Sequence, residues 1–220
     1  MDRILWWRDD DAEAWSPALA RLVALAARHR VPLAVAAVPM RLTAEAKARL
    51  MAAPEVTLLL HGHNHVNHAP AGAKKAEFGP HRPLAVMAAE IAAARQRLPE
   101  AAPVFVPPWN RIDPGLAALL PGLGLRGLST HGGKRLEVAG LAQVNTTVDP
   151  IDWRAGRRFV GAAATRDALG AAGPRPVGLL THHAVMPEAM WQFLDDFLGE
   201  SRRQGGPHWS SARQLFTMPA

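Results

Sequence analysis

Short apolar runs and helix-spaced apolar positions alternate along the chain. Ile4–Trp7 is a brief apolar run of strand type. Ser16 then reads as an N-cap with Pro17 in the first turn, and Leu19, Leu22, Val23 and Ala26 recur at helical spacing up to about His29. Pro32 to Val38 is continuously apolar, as a buried parallel strand requires, and Thr43 to about Met51 is Ala-rich and helical. Val56–Leu60 is again strand-like, and Leu84, Met87, Ala88, Ile91 and Leu98 define the next helix. Val104–Val106 is a short strand closed by Pro107 and Pro108, and Pro114–Leu120 a short helix. Gly127–Thr130 and Gln143–Val148 read as strands, Thr165–Ala171 as a helix, and Val177–Thr181 as the last clear strand. A helix from about Pro187 to Leu198 follows, burying Met190, Leu194 and Phe197. This alternation predicts an α/β fold, one domain over residues 1–220, with a parallel sheet closed or nearly closed into a barrel.

Composition narrows the picture. Apolar residues are 49% and charged residues 20% of the 220-residue chain, so a packed core is expected. No run approaches membrane-spanning length, and charges at Asp2, Arg3 and Arg8 to Asp11 break any signal-peptide core, so a cytoplasmic protein with no membrane partner is expected. With no cysteine, a metal here must use histidine and carboxylate. The net charge of +6 favours anionic partners, but the basic residues are scattered without aromatic interleaving, which argues against nucleic acid.

In a parallel α/β barrel, chemistry collects at the C-terminal ends of strands. Those ends carry Asp9-Asp10-Asp11, His61-Gly62-His63-Asn64-His65, Pro107-Pro108-Trp109-Asn110, His131, Asp149 to Trp153, and His182-His183. His61 and His65, in an H-x-x-x-H pair, can aim two nitrogens at one ion. The carboxylates after the first strand supply the complementary ligand type. His182 and His183 are strand neighbours and point to opposite faces, so one of them reaches such an ion's surroundings.

Taken in order, these stretches resemble the five motifs of the polysaccharide deacetylase superfamily, the NodB-homology carbohydrate esterases. Its T-F-D-D-G is similar to Arg8-Asp9-Asp10-Asp11-Ala12, its H-[ST]-x-x-H to His61 through His65, and its R-x-P-[YW] to Val106-Pro107-Pro108-Trp109. Its D-x-x-D-W is matched by Asp149-Pro150-Ile151-Asp152-Trp153 and its L-x-H by Leu180-Thr181-His182. The resemblance implies a distorted (β/α) barrel of about seven parallel strands. It implies a divalent metal, Zn²⁺ or another transition ion, on Asp11, His61 and His65, and hydrolysis of an N-acetyl or related acyl group. It further implies Asp10 as base, His182 as acid tuned by Asp149 or Asp152, an oxyanion-stabilising N–H at Trp109, and Trp153 as a pocket wall.

The Asp triplet leaves open which two are base and ligand, and the resemblance favours Asp10 and Asp11. Val106 stands where the superfamily has the arginine that holds the base. Arg8, two residues before Asp10 on one strand face, is the first candidate to replace it, and Arg111 the second.

The loop Ala69 to Pro83, with three prolines and two glycines, leaves directly from the histidines and is expected to cover the site's mouth. Lys74, Lys75 and Arg111 are expected there and could attract an anionic substrate, a solvated basic rim being the plainer reading. His63, His68, His81 and His131 read as mouth or surface groups. The substrate expected is a small acylated amine or saccharide. Two other functions fit the same residues. One is a metal-dependent phosphate enzyme, disfavoured by the histidines and by the lack of a glycine-rich phosphate cradle. The other is a non-catalytic binder of acylated ligands, prompted by Val106.

Overall fold

The computed structural model describes residues 4–171, 176–200 and 208–217. Strand β1 (Ile4–Ala12) is its axis. Helix α1 (Pro17–His29) starts where the Ser16 hydroxyl accepts the N–H of Leu19 and ends at Arg30 in the left-handed conformation. Then come β2 (Leu33–Ala37), α2 (Ala44–Ala52) capped by Thr43, β3 (Val56–His61), α3 (Leu84–Arg97) and β4 (Val104–Val106). A 3-10 turn at Pro108–Asn110 leads to α4 (Pro114–Leu119), β5 (Gly127–Leu128) and β6 (Ala142–Gln143). A hairpin of β7 (Ile151–Asp152) and β8 (Arg158–Phe159) precedes α5 (Ala162–Ala171), β9 (Val177–Thr181) and α6 (Glu188–Glu200). The described part ends with β10 (His208–Trp209) and α7 (Ala212–Thr217).

Every pairing in the main sheet is parallel, in the order β9-β1-β2-β3-β4-β5-β6. Leu5 pairs with both Val177 and Trp209, whereas β2 joins β1 only from Trp7, so β10 occupies the edge of β1 that β2 takes over further on. The chain beyond β6 bends across to β9: Val148 bridges Leu179, and the N–H groups of Thr147 and Val148 both reach the Gly178 carbonyl. The strands thus form a distorted (β/α) barrel whose last seam is a single bridge. The strands expected over Gly127–Thr130 and Gln143–Val148 are shorter as regular elements: the backbone still bonds from Val144 to Leu128 and from Thr146 to Thr130, with side-chain bonds between. Asn145 Oδ1 accepts both the N–H and the hydroxyl of Thr130 there.

Alternation along the strands separates two cores. Leu5, Trp7, Leu33, Val35, Leu58, Leu60 and Phe105 face the helices. Trp6, Ala34, Ala36, Leu59, Val104 and Val106 face inward, and Ala212, Leu215 and Phe216 of α7 plug that interior from the N-terminal end of the strands. Trp6, fully buried, meets Phe216 edge to face with centroids 6.2 Å apart. Gly178 makes room for the indole, since a Cβ there would lie 2.5 Å from its Nε1. With Trp6 filling the lower barrel, the next inward positions of β1, Arg8 and Asp10, sit towards its C-terminal rim. No helix among the described residues is long and apolar enough to cross a membrane.

Candidate metal centre

The site begins with a bulge in β1. Asp9 pairs with Val35 and Ala12 with Ala37, so three steps on β1 match two on β2, and Asp11 takes up the extra residue at φ 70°. A bulge of this kind re-aims a side chain. Regular alternation would send Asp10 and Asp11 to opposite faces; the bulge instead leaves each member of the triplet with its own partners.

Asp9 belongs to the outer layer. Fully buried, it accepts the Thr181 hydroxyl at 2.7 Å and the His183 N–H at 2.9 Å, and lies 2.5 Å from His183 Nδ1. Asp10 faces Arg8, whose Nη2 donates to Oδ2 at 3.0 Å and whose Nε lies 2.9 Å from Oδ1. The same buried guanidinium donates to Ser129 Oγ at 2.6 Å, the Thr130 carbonyl at 3.2 Å and Asn110 Oδ1 at 2.7 Å. Arg8 is therefore in contact with Asp10, whereas Arg111, the other candidate, is exposed and donates to the Lys75 carbonyl at 2.7 Å.

Asp11 turns to the histidines. Its Oδ1 lies 2.9 Å from His61 Nε2 and 3.2 Å from His65 Nε2. One ligand atom from each of the three residues lies within 4.8 Å of the others, a group able to hold a metal ion. His61 Nδ1 is 3.0 Å from the Val106 carbonyl, which can only accept, so that nitrogen carries the proton and Nε2 presents a lone pair. A lone pair facing a carboxylate oxygen calls for a cation or a proton between them. Electrostatics agree: burial would raise the Asp11 carboxyl, but the hydrogen bonds of His61 and His65 and the charge on His61 and His182 hold it far below the usual range. Burial depresses the His61 imidazole, yet Asp10 and Asp11 together move it upward.

The histidine loop is held from outside itself. Gly62 (φ 64°) and His65 (φ 53°) are left-handed, and the turn between them points the N–H groups of His63, Asn64 and Val66 at the buried carboxylate of Glu77, at 3.2, 2.8 and 3.3 Å. Nothing in the spacing of the chain flagged Glu77. The expected cover over the site's mouth is, in this part, an anchor: Ala76 to Gly79 are buried, Phe78 packs on Phe105, and Asn67 Oδ1 accepts the N–H of both Ala69 and Ala76. Lys74 and Lys75 are exposed on the same loop.

Trp109, left-handed at φ 55°, lays its ring 4.4 Å from that of His65. His182 is half-buried, with a buried Nδ1 that has no partner among the described residues, and its ring meets Trp153 at 4.7 Å edge to face. Trp153 is 43% exposed, and its Nε1 donates to Asp149 at 2.7 Å. Asp152, expected with Asp149 as a partner of His182, is the exposed last residue of β7, where its Oδ1 accepts the N–H groups of Arg154 and Ala155 at the start of the turn. The carboxylate on the Trp153–His182 side is that of Asp149. The motif spacing could not separate the two, because an Asp that caps a turn and one that faces a site look alike in sequence.

No protein-family model matches the chain, and no curated protein matches it in sequence. Among solved structures it is similar to a family 4 carbohydrate esterase from Streptomyces lividans in complex with acetate, at 15% identity and TM-score 0.65, covering 96% of this chain and 94% of that one. A family 4 acetyl xylan esterase from Clostridium thermocellum in complex with a cobalt ion shares 17% identity at TM-score 0.62, over 98% and 91% of the two chains. A peptidoglycan deacetylase from Bacillus subtilis shares 14% at TM-score 0.62, over 97% and 89%. At these identities the likeness is one of fold: the chain has the distorted barrel of the family 4 carbohydrate esterases, the NodB-like polysaccharide deacetylases.

Proposed function

We propose that the protein is a metal-dependent hydrolase that removes an acetyl or related acyl group from an amine or amino sugar. The observation that carries this reading is the Asp11, His61 and His65 group, with His61 fixed by the Val106 carbonyl to present Nε2, beside an Asp10 gripped by Arg8. Two imidazole nitrogens and one carboxylate oxygen suit Zn²⁺ or a similar divalent ion and leave coordination positions free. Such an ion, when bound, polarises the acyl carbonyl and acidifies water.

The chain's own groups supply the rest. Asp10, its orientation set by Arg8, accepts the proton of the attacking water. The Trp109 N–H stabilises charge developing on the carbonyl oxygen. His182, whose Nδ1 is otherwise unpartnered among the described residues, delivers a proton to the leaving amine, with Trp153 and Asp149 as its wall. The Arg8 contact also speaks against the binder-only reading, since the part missing at Val106 is supplied from β1. The solved structures with this fold that are named for carbohydrate esters, acetyl xylan and peptidoglycan support an acylated saccharide as substrate class.

The test is metal content together with acetate release from acetylated amines and amino sugars. The parent protein should bind close to one divalent ion and release acetate, and His61→Ala and His65→Ala should lose both while remaining folded. Full metal occupancy in both variants would remove the reading.

A further inference from the structure

The Glu77 carboxylate is buried and has no cationic partner in a hydrogen bond or ion pair among the described residues, and the chemistry above does not use it. The residue is 1% exposed. Both oxygens are spent on backbone: Oε1 accepts from Asn64 and Val66, and Oε2 from His63. These three N–H groups lie between His61 and the residue after His65. N–H groups of neighbouring residues turned inward by a turn or by left-handed residues form a concave anion-binding nest. Here it is filled by a carboxylate of the same chain.

We propose that Glu77 is the positioning residue of the metal centre. His61 is fixed by β3 and by the Val106 carbonyl, so its place does not depend on the loop. His65 stands beyond β3; its ring, packed against that of Trp109, reaches Asp11 from a left-handed backbone, a conformation that non-glycine residues adopt only when their surroundings impose it. The anion in the nest imposes it. Gly62 permits the arrangement, since any Cβ there would collide with Glu77 Oε2. Glu77 is itself locked, because Arg82 Nη1 donates to its carbonyl at 3.0 Å and Phe78 beside it bridges Ile112. The distance between the two histidine nitrogens is thus set by a residue that touches neither.

This inference rests on the reading of Asp11, His61 and His65 as a metal centre, and the experiment separates the two. Zn²⁺ affinity is measured by competition with a chromophoric chelator, and the Co²⁺-substituted protein is examined by visible absorption, for the parent, Glu77→Gln and Glu77→Ala. Loss of a partner that orients a ligand typically weakens metal binding about 10- to 100-fold. Glu77→Gln, which keeps one acceptor oxygen, should fall near the lower end of that range and Glu77→Ala at or beyond the upper end. The Co²⁺ bands should shift in both, which a mere loss of global stability would not cause.

Unchanged affinity and spectrum in Glu77→Gln would overturn the proposal, whether or not the alanine variant folds. Should the parent bind neither ion, the metal reading fails by itself. Glu77 is then judged by amide hydrogen exchange at His63, Asn64 and Val66, where lost protection in Glu77→Gln supports the nest and retained protection refutes it.

Discussion

Arg8 and Asp10 stand two residues apart on the same inward face of β1, with Arg8 Nη2 donating to Asp10 Oδ2 at 3.0 Å. Arg8 is fully buried and Asp10 2% exposed, so the carboxylate's orientation is set by a guanidinium that is itself tied to Ser129, Thr130 and Asn110. A general base contributes about 10²- to 10⁴-fold to a rate, and only when held in place. Arg8→Lys replaces a planar fork with a point charge that cannot serve four partners at once. Its kcat/KM should fall about 10²-fold with metal content unchanged. Arg8→Met should add a stability loss of about 3–5 kcal/mol, because it leaves a buried charge alone. A Lys variant with parental kcat/KM would show that Asp10 does not depend on the fork.

Gly62 is the position in the histidine loop least able to change. It sits at φ 64°, and a Cβ would collide with Glu77 Oε2 and lie 2.5 Å from Pro108 Cγ. Gly62→Ala should cost about 1–3 kcal/mol through backbone strain alone, and for a chain of this size each kcal/mol lowers Tm by about 2–4 °C. Thermal unfolding with chelator present measures it without the metal's contribution. A Tm within 1 °C of the parent's, on the order of a few tenths of a kcal/mol, would mean that the loop re-forms around the methyl group.

The alternation of strand and helix was legible because inward and outward faces of a buried parallel sheet both need apolar residues, and β2 and β3 show it plainly. The rule that chemistry follows strand ends picks out the stretches that contain Asp11, His61 and His65, and the fold brings these three together. Residue spacing could not reveal the bulge at Asp11, which depends on register with β2, a strand that starts some twenty residues downstream. Nor could it reveal Glu77, whose partners are backbone groups in another part of the chain and leave no mark in side-chain patterning. The motif from Asp149 to Trp153 carries two carboxylates, and only the folded hairpin shows that Asp152 caps backbone alone while Asp149 also accepts the Trp153 indole N–H. Strand β10 and helix α7 are each too short to carry a period in the sequence.

The basic loop tips offer a test of substrate charge. Lys74 and Lys75 are exposed, and the Lys75 carbonyl is tied to Arg111. If the substrate is an anionic acylated saccharide, Lys74→Glu with Lys75→Glu should raise KM several-fold with little change in kcat, the mark of lost binding common to ground and transition states. The effect should fade as salt rises, since exposed charges are screened beyond about 8 Å at 0.15 M. An unchanged KM at low salt would return both lysines to a solvated rim.

His183 and Asp9 make stability depend on pH in a direction that can be derived. Burial alone would depress the His183 imidazole, but the charge of Asp9 and the hydrogen bond to it, with a further contribution from Asp11, leave it raised above the ordinary 6.5. A histidine that binds its proton more tightly folded than unfolded stabilises the fold fully below the unfolded value, and loses that contribution as pH rises through the folded one. His183→Gln keeps an N–H donor near Asp9 but carries no titratable proton. In urea titrations with chelator present, the parent should exceed this variant in stability most at pH 6, and the gap should narrow steadily towards pH 9. A gap that is constant across this range would mean that His183 binds its proton equally well folded and unfolded, so that its 2.5 Å contact with Asp9 does no more than offset burial. A gap that widens with pH would reverse the sign, and would require His183 to be depressed by burial more than Asp9 raises it.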